Sequence, residues 1–328
     1  MPAMARVVRI HQTGGPELLR LEEIDPGRPG PGEVLLHQTA IGVNFIDTYH
    51  RTGLYPLPSL PHALGQEAAG VVEAIGDGVT GLTKGMRVAY AAGTTGAYAE
   101  RRVVAAARLV PLPDDIDDRT AAAMMLRGMT AEYLIRRTFK VEPGMWVLFH
   151  AAAGGVGAIA CQWLKHLGAK VIGTVGSDAK AERAKQEGCA EVIVYTREKF
   201  AERVRAITAG AGVPVVYDSV GKATFEGSIE CLARRGMLVA FGNASGAAPP
   251  FDPLVLSRKG SLYLTRPTLF DYTATREELL ASAGALFDVV RKGAVKVTIG
   301  QTFPLAQAAD AHRALESRNT VGSTILIP

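Results

Sequence analysis

The residues best suited to chemistry in this chain are very small ones. Ala151-Ala152-Ala153-Gly154-Gly155-Val156-Gly157 follows an apolar run, Trp146 to Phe149, and precedes an amphipathic stretch, Ala158 to Leu167. That order reads as strand, tight turn and helix. Small side chains let backbone N–H groups approach a phosphate, and the helix N-terminus adds its positive dipole end. Ala153, Gly154, Gly155, Val156 and Gly157 are therefore the candidate cradle of a dinucleotide pyrophosphate. The first glycine of the usual Gly-x-Gly-x-x-Gly is Ala152 here. A glycine-rich turn can also be a tight corner without a ligand, but this one opens a βαβ series, the setting a dinucleotide requires.

The end of the second strand of that series selects the cofactor. NAD-binding turns place Asp or Glu there, about 20 residues past the glycines, to bind the ribose 2′-hydroxyl. This chain has Val175-Gly176-Ser177-Asp178-Ala179-Lys180. Gly176 holds the expected position, and Ser177 and Lys180 can bind a 2′-phosphate that a carboxylate would repel. Asp178 fits the N-cap of the next helix, its side chain turned to backbone N–H groups. The pattern points to NADPH rather than NADH.

Other chemistries find no constellation. The three cysteines, Cys161, Cys189 and Cys231, are widely spaced with no Cys-x-x-Cys, against a disulfide framework or zinc cluster. His150 ends the first strand beside the turn and reads as a packed, hydrogen-bonded histidine rather than a base. No Gly-x-Ser-x-Gly elbow is present. Ser219 ends a later strand, where parallel sheets bind ligands, and Tyr195 ends another, where it can meet the adenosine half or serve as core.

These residues must be positioned by alternating elements. Strands are predicted at 145–150, 170–175, 191–195, 214–219 and 236–242, with helices at 155–168, 178–188, 198–209 and 222–234. That alternation is the signature of an α/β fold with a doubly wound parallel sheet. Residues 1 to about 125 instead hold short strands split by Gly/Pro turns such as Pro26-Gly27-Arg28-Pro29-Gly30, which suggests a compact β-rich domain. Asp117 or Asp118 can cap a helix over Thr120–Arg137. Later helices are predicted at 275–292 and 305–317. Gly322 to Ile327 reads as a strand that returns to the first domain.

At 328 residues the chain has room for two domains, and with 48% hydrophobic and 21% charged residues it can bury a large core. The net charge of +4 is a mild excess, and the doublets Arg101-Arg102, Arg136-Arg137 and Arg234-Arg235 are scattered, so nucleic acid is not the expected partner. No apolar run approaches membrane-spanning length, and the first ten residues carry no long apolar core or cleavage signature. A cytoplasmic protein is expected.

Several stretches together resemble a known family: Asn44-Phe45-Ile46-Asp47-Thr48-Tyr49, Gly53-Leu54-Tyr55-Pro56, Leu64-Gly65-Gln66-Glu67-Ala68-Ala69-Gly70, the turn at 151–157, Tyr217-Asp218-Ser219-Val220-Gly221, Phe241-Gly242-Asn243, Thr265-Arg266-Pro267 and Leu315-Glu316-Ser317-Arg318. Over nearly its whole length the chain resembles the zinc-independent, zeta-crystallin-like quinone oxidoreductases of the medium-chain dehydrogenase/reductase superfamily. The resemblance implies a GroES-like β-rich catalytic domain at 1–127, a Rossmann NADPH-binding domain at 128–267, and a return to the catalytic domain at 268–328. It implies an active site in the cleft and a homodimer joined through the edge of the cofactor sheet. It places Asn44 and Tyr49 at the nicotinamide end as the catalytic pair, with Thr130, Phe241, Asn243 and Arg318 at the cofactor. The plainer alternatives are a helix-capping Asn44, a packed Tyr49, a Thr130 bonded to its own helix, a strand-end turn at Gly242 and an exposed Arg318. Gln66 stands where zinc-dependent relatives carry His, so no catalytic zinc is expected.

The function expected is NADPH-dependent reduction of a small-molecule quinone, by hydride or stepwise electron transfer from the nicotinamide and with no metal. A quinone accepts electrons readily and its reduced oxygens can be protonated from solvent. The alternative on the same scaffold is an enone or alkenal reductase, with Tyr49 or a water as proton donor. An alternative of another class is a structural or RNA-binding zeta-crystallin-like role.

Overall fold

The structure is a computed structural model that describes residues 4–317 and 320–328. The chain forms two compact units. The first holds the residues up to Met129, Thr273–Phe287 and Val297–Pro328; the second holds Thr130–Tyr272 and Asp288–Lys296.

In the first unit the strands are β1 (Ala5–Ile10), β2 (Arg20–Ile24), β3 (Glu33–Val43), β4 (His62–Ala63), β5 (Glu67–Ile75), β6 (Arg87–Ala91), β7 (Arg101–Ala105), β8 (Val110–Pro111), β15 (Ile299–Pro304) and β16 (Ser323–Ile327). Helix α1 (Phe45–Thr52) follows β3, and α10 (Ala308–Glu316) precedes β16. The main sheet runs β15-β16-β3-β5-β6-β8 with β7 also on β3, and a small sheet runs β2-β1-β4. Strand β3 organises this unit. Val34 and Leu36 alternate inward from it and are fully buried with Ile41, Val88, Leu109 and Leu326. Burying each such side chain is worth about 1.5–3 kcal/mol. The C-terminal strand β16 returns antiparallel to β3, Leu326 opposite Ile41 and Thr324 opposite Val43. The sequence predicts that return.

The second unit holds β9 (Trp146–His150), β10 (Lys170–Val175), β11 (Glu191–Val194), β12 (Val213–Asp218), β13 (Leu232–Ala240) and β14 (Tyr263–Thr265). Between them run α3 (Gly155–His166), α4 (Asp178–Gln186), α5 (Phe200–Ile207), α6 (Phe225–Cys231) and α7 (Leu254–Arg258), and α8 (Leu269–Tyr272) follows. The sheet order is β11-β10-β9-β12-β13-β14, every pairing parallel. Val147, Leu148 and Phe149 are all fully buried, because helices cover both faces of a parallel sheet. Strand order reverses between β9 and β12, and ligands of such sheets bind outside the strand ends at that switch point. The α/β architecture expected from the sequence is the one observed.

Helix α2 (Asp118–Tyr133) starts where Asp117 Oδ1 accepts from Thr120 N at 2.9 Å, so the cap is Asp117. It ends in a π-helical turn, Leu134–Thr138. Helix α9 (Arg276–Arg291) carries a reciprocal cap: Thr275 N donates to Glu278 Oε2 and Glu278 N to Thr275 Oγ1. One expected boundary is corrected. The helix predicted over 222–234 ends at Cys231, and β13 begins at Leu232 rather than Gly236. Leu232 pairs with Val213 in the parallel sheet, a long-range contact that overrides the helical propensity of Leu232 and Ala233. Among the described residues no helix is long and apolar enough to cross a membrane.

Candidate cofactor and active site

In the second unit, β9 leads into the small-residue turn. Ala151 takes a left-handed conformation (φ 53°) and its carbonyl accepts from Gly154 N at 2.8 Å. Gly154 is the N-cap of α3, and Ala158 N donates to Gly154 O at 2.8 Å. The N–H groups of Gly155, Val156 and Gly157 therefore lie ahead of that bond, at the switch point, as an anion site requires. Gly157 is obligatory. A Cβ there would lie 2.3 Å from Ala151 O and 2.7 Å from Ala152 O. Its bare Cα lets α3 sit against the turn.

A polar lock holds the neighbouring strand ends. His150, fully buried at the end of β9, bonds Thr174 Oγ1 through Nδ1 (2.7 Å) and Ser228 Oγ through Nε2 (2.9 Å). Ser228 Oγ donates to Asp218 Oδ2 at 2.9 Å, and Asp218 Oδ1 accepts from Val220 N and Gly221 N at 2.8 and 3.0 Å. Burial holds the His150 pKa below its ordinary value. This Ser, His and Asp set is a structural one, with Ser228 fully buried in α6. It joins the ends of β9, β10 and β12, as the packed reading of His150 expects.

The second group of candidate residues lies beyond β10. A Cβ on Gly176 would stand 3.0 Å from Tyr195 Oη, so two of the candidate residues meet there. Ser177, not Asp178, is the N-cap residue of α4. Asp178 is the first helical residue, and its carboxylate pairs with Arg197 at 2.5 and 3.1 Å. The expectation of an Asp178 cap is corrected: Ser177 has the extended backbone of a cap, and a nearby cation takes the carboxylate. Arg197 was not legible as part of this end from its position two residues past Tyr195. Lys180 lies in the first turn of the same helix.

Across the switch point, the loops after β12 and β13 run together. Phe241 N donates to Asp218 O (2.7 Å) and Ala244 N to Ser219 O (3.1 Å), so Ser219, Phe241 and Asn243 share one rim. Phe241 packs edge-on against Phe149 at 5.9 Å. Arg266, just past β14, donates to Ala240 O and Gly242 O at 3.1 and 3.0 Å. With its amide turned to satisfy both ends, Asn243 accepts from Arg266 Nη2 at 3.0 Å. Arg266 is a rim residue that sequence reasoning missed, although Thr265-Arg266-Pro267 was part of the resemblance. Thr130 is buried within α2.

In the first unit, Asn44 is the N-cap residue of α1. Its backbone N–H donates to Asp47 Oδ2 at 2.8 Å. Its side chain takes part in the same capping box, facing the Asp47 N–H, and its Nδ2 donates to Glu67 Oε2 at 2.6 Å. Glu67 Oε1 accepts from Leu126 N at 2.9 Å, and the buried Arg127 donates to Val43 O at 2.5 Å. Tyr98 Oη donates to Asp47 Oδ2 at 2.9 Å and lies 2.9 Å from His312 Nε2. Arg51 meets His312 Nδ1 at 3.0 Å and Glu316 at 2.5 Å. Because a guanidinium only donates, His312 carries its proton on Nε2 and points it at Tyr98. Burial raises both carboxyls, Asp47 and Glu67, to about 7; burial and then Arg51 push His312 down to about 3. Tyr49, half-buried on α1, meets Tyr55 edge-to-face at 5.3 Å. Asp47, Glu67 and Arg127 escaped sequence reasoning. Their only local signal is a charge inside an apolar run, as in Met125-Leu126-Arg127-Gly128-Met129.

The candidate residues thus fall into local groups. Ala153–Gly157 form the turn; Gly176, Ser177, Lys180 and Tyr195 the end of β10 and β11; Ser219, Phe241 and Asn243 the opposite rim; Asn44 and Tyr49 lie on α1. Arg318 lies outside the described residues.

Comparison with known proteins gives the same class. Residues 30–114 match the alcohol dehydrogenase GroES-like domain and residues 155–298 the zinc-binding dehydrogenase model. The chain is 53% identical to a quinone oxidoreductase of Pseudomonas aeruginosa, covering 99% of this chain and 100% of that one. It is 48% identical to a 2-haloacrylate reductase of a Burkholderia species, covering 99% of each. The crystal structure of Escherichia coli quinone oxidoreductase complexed with NADPH superposes with a TM-score of 0.97 at 49% identity, over 98% of this chain and all of that one. The chain belongs to the quinone oxidoreductase family of the medium-chain dehydrogenase/reductase superfamily. Among the described residues no three His, Cys, Asp or Glu side chains converge where a metal could be held. The cysteines are buried, and burial pushes the Cys231 thiol up to about 12.

Proposed function

We propose that this chain reduces quinones with NADPH and without zinc. The observation that carries the cofactor choice is Gly176. The end of β10 has no carboxylate to repel a 2′-phosphate, and Tyr195 closes over the bare Cα. In this reading the N–H groups at 153–157 take the pyrophosphate, and Ser177 and Lys180 take the 2′-phosphate. Ser219, Phe241, Asn243 and Thr130 line the nicotinamide half, with Arg318 as a further cofactor contact. Asn44 meets the nicotinamide end and Tyr49 shapes the acceptor pocket. When bound, NADPH supplies a hydride from C4, so that quinone, NADPH and one proton become hydroquinone and NADP⁺. The protein's part is to bind, align and exclude water; the one proton consumed is supplied by solvent, directly or through Tyr49. A titration with NADPH and NADH followed by a quinone panel tests this. Tight NADPH binding with turnover of 1,4-benzoquinone is the expected result. A gel shift with RNA at physiological salt, with no quinone turnover, would overturn it.

The Burkholderia relative supports a second reading, reduction of an activated carbon–carbon double bond on the same scaffold. Turnover of enones or haloacrylates in preference to quinones would establish it. We further infer a homodimer through the edge of the cofactor sheet. Edge strand β14 carries Tyr263, 57% exposed, and light scattering at twice the chain mass is the expected result.

A further inference from the structure

We propose that Glu67 is the positioning residue of Asn44: its carboxylate decides whether the amide oxygen or the amide nitrogen of Asn44 is offered to the ligand. The two ends of an amide are nearly the same size and opposite in hydrogen-bonding sense. A carboxylate can only accept. With Glu67 Oε2 at 2.6 Å, Asn44 must turn its NH₂ inward, so its oxygen is the end presented. The backbone of Asn44 is already fixed, because its N–H donates to Asp47 Oδ2 at 2.8 Å. What remains is rotation of the amide: its oxygen faces the Asp47 N–H as the other half of the capping box and has a second lone pair for the ligand, and Glu67 holds the nitrogen.

The surroundings are built for this contact. Gly42 lies on β3 directly behind the carboxylate, where a Cβ would come within 2.4 Å of Oε2. The other oxygen of Glu67 is held by Leu126 N at 2.9 Å. The charged and titratable groups around Glu67 are Arg127 from α2, Asp47 from α1 and Tyr90 from β6. Burial favours the neutral form of Glu67 and Arg127 the ionised one, and the charge of Glu67 in turn disfavours that of Asp47. With the Glu67 pKa raised to about 7 by burial, both forms are reachable near neutrality. A protonated Glu67 becomes a donor, and Asn44 satisfies it by turning its oxygen inward. The presented end then changes from acceptor to donor.

The inference rests on Asn44 meeting the bound cofactor or substrate, as proposed above. The test is Glu67→Gln, followed by cofactor fluorescence binding and by quinone kinetics. Leu126 N–H claims the glutamine oxygen, its NH₂ faces Asn44, and the amide turns over. We expect a loss of about tenfold in cofactor affinity or quinone KM, roughly one misplaced hydrogen bond, with the melting temperature little changed. Wild-type binding should weaken as pH falls from 8 to 6 and the Glu67→Gln profile should be flat. NADH is used alongside NADPH because its ribose carries no titrating phosphate. The double variant Glu67→Gln/Asn44→Asp exchanges donor and acceptor, keeps the total charge, and should recover most of the loss. Wild-type behaviour of Glu67→Gln in binding, KM and kcat, or no recovery in the double variant, overturns the proposal. So does a flat wild-type profile with NADH, which needs no variant to fold. Asn44→Ala separates the premises: unchanged binding there removes Asn44 from the ligand and the proposal with it. Weakened binding there beside an unaffected Glu67→Gln overturns the role of Glu67 alone.

Discussion

Tyr195 Oη stands 3.0 Å from the point where a side chain on Gly176 would begin. A side chain on Gly176 would therefore require the Tyr195 hydroxyl to give way slightly. Neither residue alone carries that information. Gly176 shows that a carboxylate is missing, and Tyr195 shows what occupies the space.

Gly176→Asp should therefore reverse the cofactor preference. The new carboxylate would lie beside the 2′-phosphate position, and two like charges a few ångström apart at a protein surface repel by about 1–4 kcal/mol. NADPH affinity should fall roughly 10- to 100-fold, while NADH affinity holds or improves. Lys180→Ala should act in the same sense more weakly, raising KM for NADPH much more than for NADH. Fluorescence titration with both cofactors measures this, and equal losses for the two would remove the 2′-phosphate assignment.

Gly157→Ala tests the cradle itself. The added methyl would meet Ala151 O and Ala152 O at 2.3 and 2.7 Å, both main-chain atoms that cannot rotate away. Overpacking of this kind costs roughly 1–3 kcal/mol. For a domain of about 150–250 residues that is a fall in Tm of roughly 3–10 °C. Binding of both cofactors should weaken together, because the turn moves as a unit. Calorimetry of the free protein and cofactor titration check the two effects separately.

The small-residue turn and the bare end of β10 were legible because each depends on a side chain being absent within one short stretch. The strands of the second unit were legible for a related reason. A parallel strand covered on both faces is a continuous apolar run, and Trp146-Val147-Leu148-Phe149 can hardly be anything else. The α6–β13 boundary was not, since Leu232 and Ala233 suit a helix or a strand and only pairing with Val213 decides. The setting of Asn44 was hidden for a deeper reason. Its partner Glu67 lies 23 residues away, Arg127 reaches Val43 across 84, and Tyr98 meets His312 across 214. Partners that the fold alone brings together leave no spacing to read.

That last pair has a pH signature. Burial, then Arg51, holds His312 at about 3 against an ordinary 6.5. The folded state binds fewer protons than the unfolded one between those values. Its stability is therefore fully present above about pH 6.5 and is lost as pH falls toward 3. Asp47 and Glu67, raised to about 7, act in the opposite sense, losing stability as pH rises from the ordinary carboxyl range through 7. The wild type alone mixes these slopes. The difference between wild type and His312→Gln isolates the first: the variant should be destabilised at pH 7.5, where a donor and acceptor are disturbed, and close the gap by pH 4.5. Urea unfolding at the two pH values measures it, and a gap that does not narrow on acidification removes His312 as the acid-sensitive group.

Asp218 offers a sharper contrast between two variants. Its carboxylate takes Val220 N, Gly221 N, Thr224 Oγ1 and Ser228 Oγ, all buried. Two of those donors are hydroxyls, which can turn and accept instead. In Asp218→Asn the oxygen keeps the two backbone N–H groups, and the new NH₂ donates to Thr224 or Ser228. Ser228 already has a second acceptor in Thr224 O at 2.8 Å, so its proton has a place to go. The asparagine variant should lose less than about 1.5 kcal/mol, the scale of one ordinary hydrogen bond. Asp218→Ala leaves the backbone donors of the β12 loop buried without partners and should lose about 3 kcal/mol or more, at about 1–3 kcal/mol for each orphaned group. Because that loop carries Ser219, cofactor binding should weaken in the alanine variant and hold in the asparagine one. Denaturant unfolding and NADPH titration of both variants decide it. Equal losses would mean that the charge of Asp218, not its count of accepted bonds, holds the strand end.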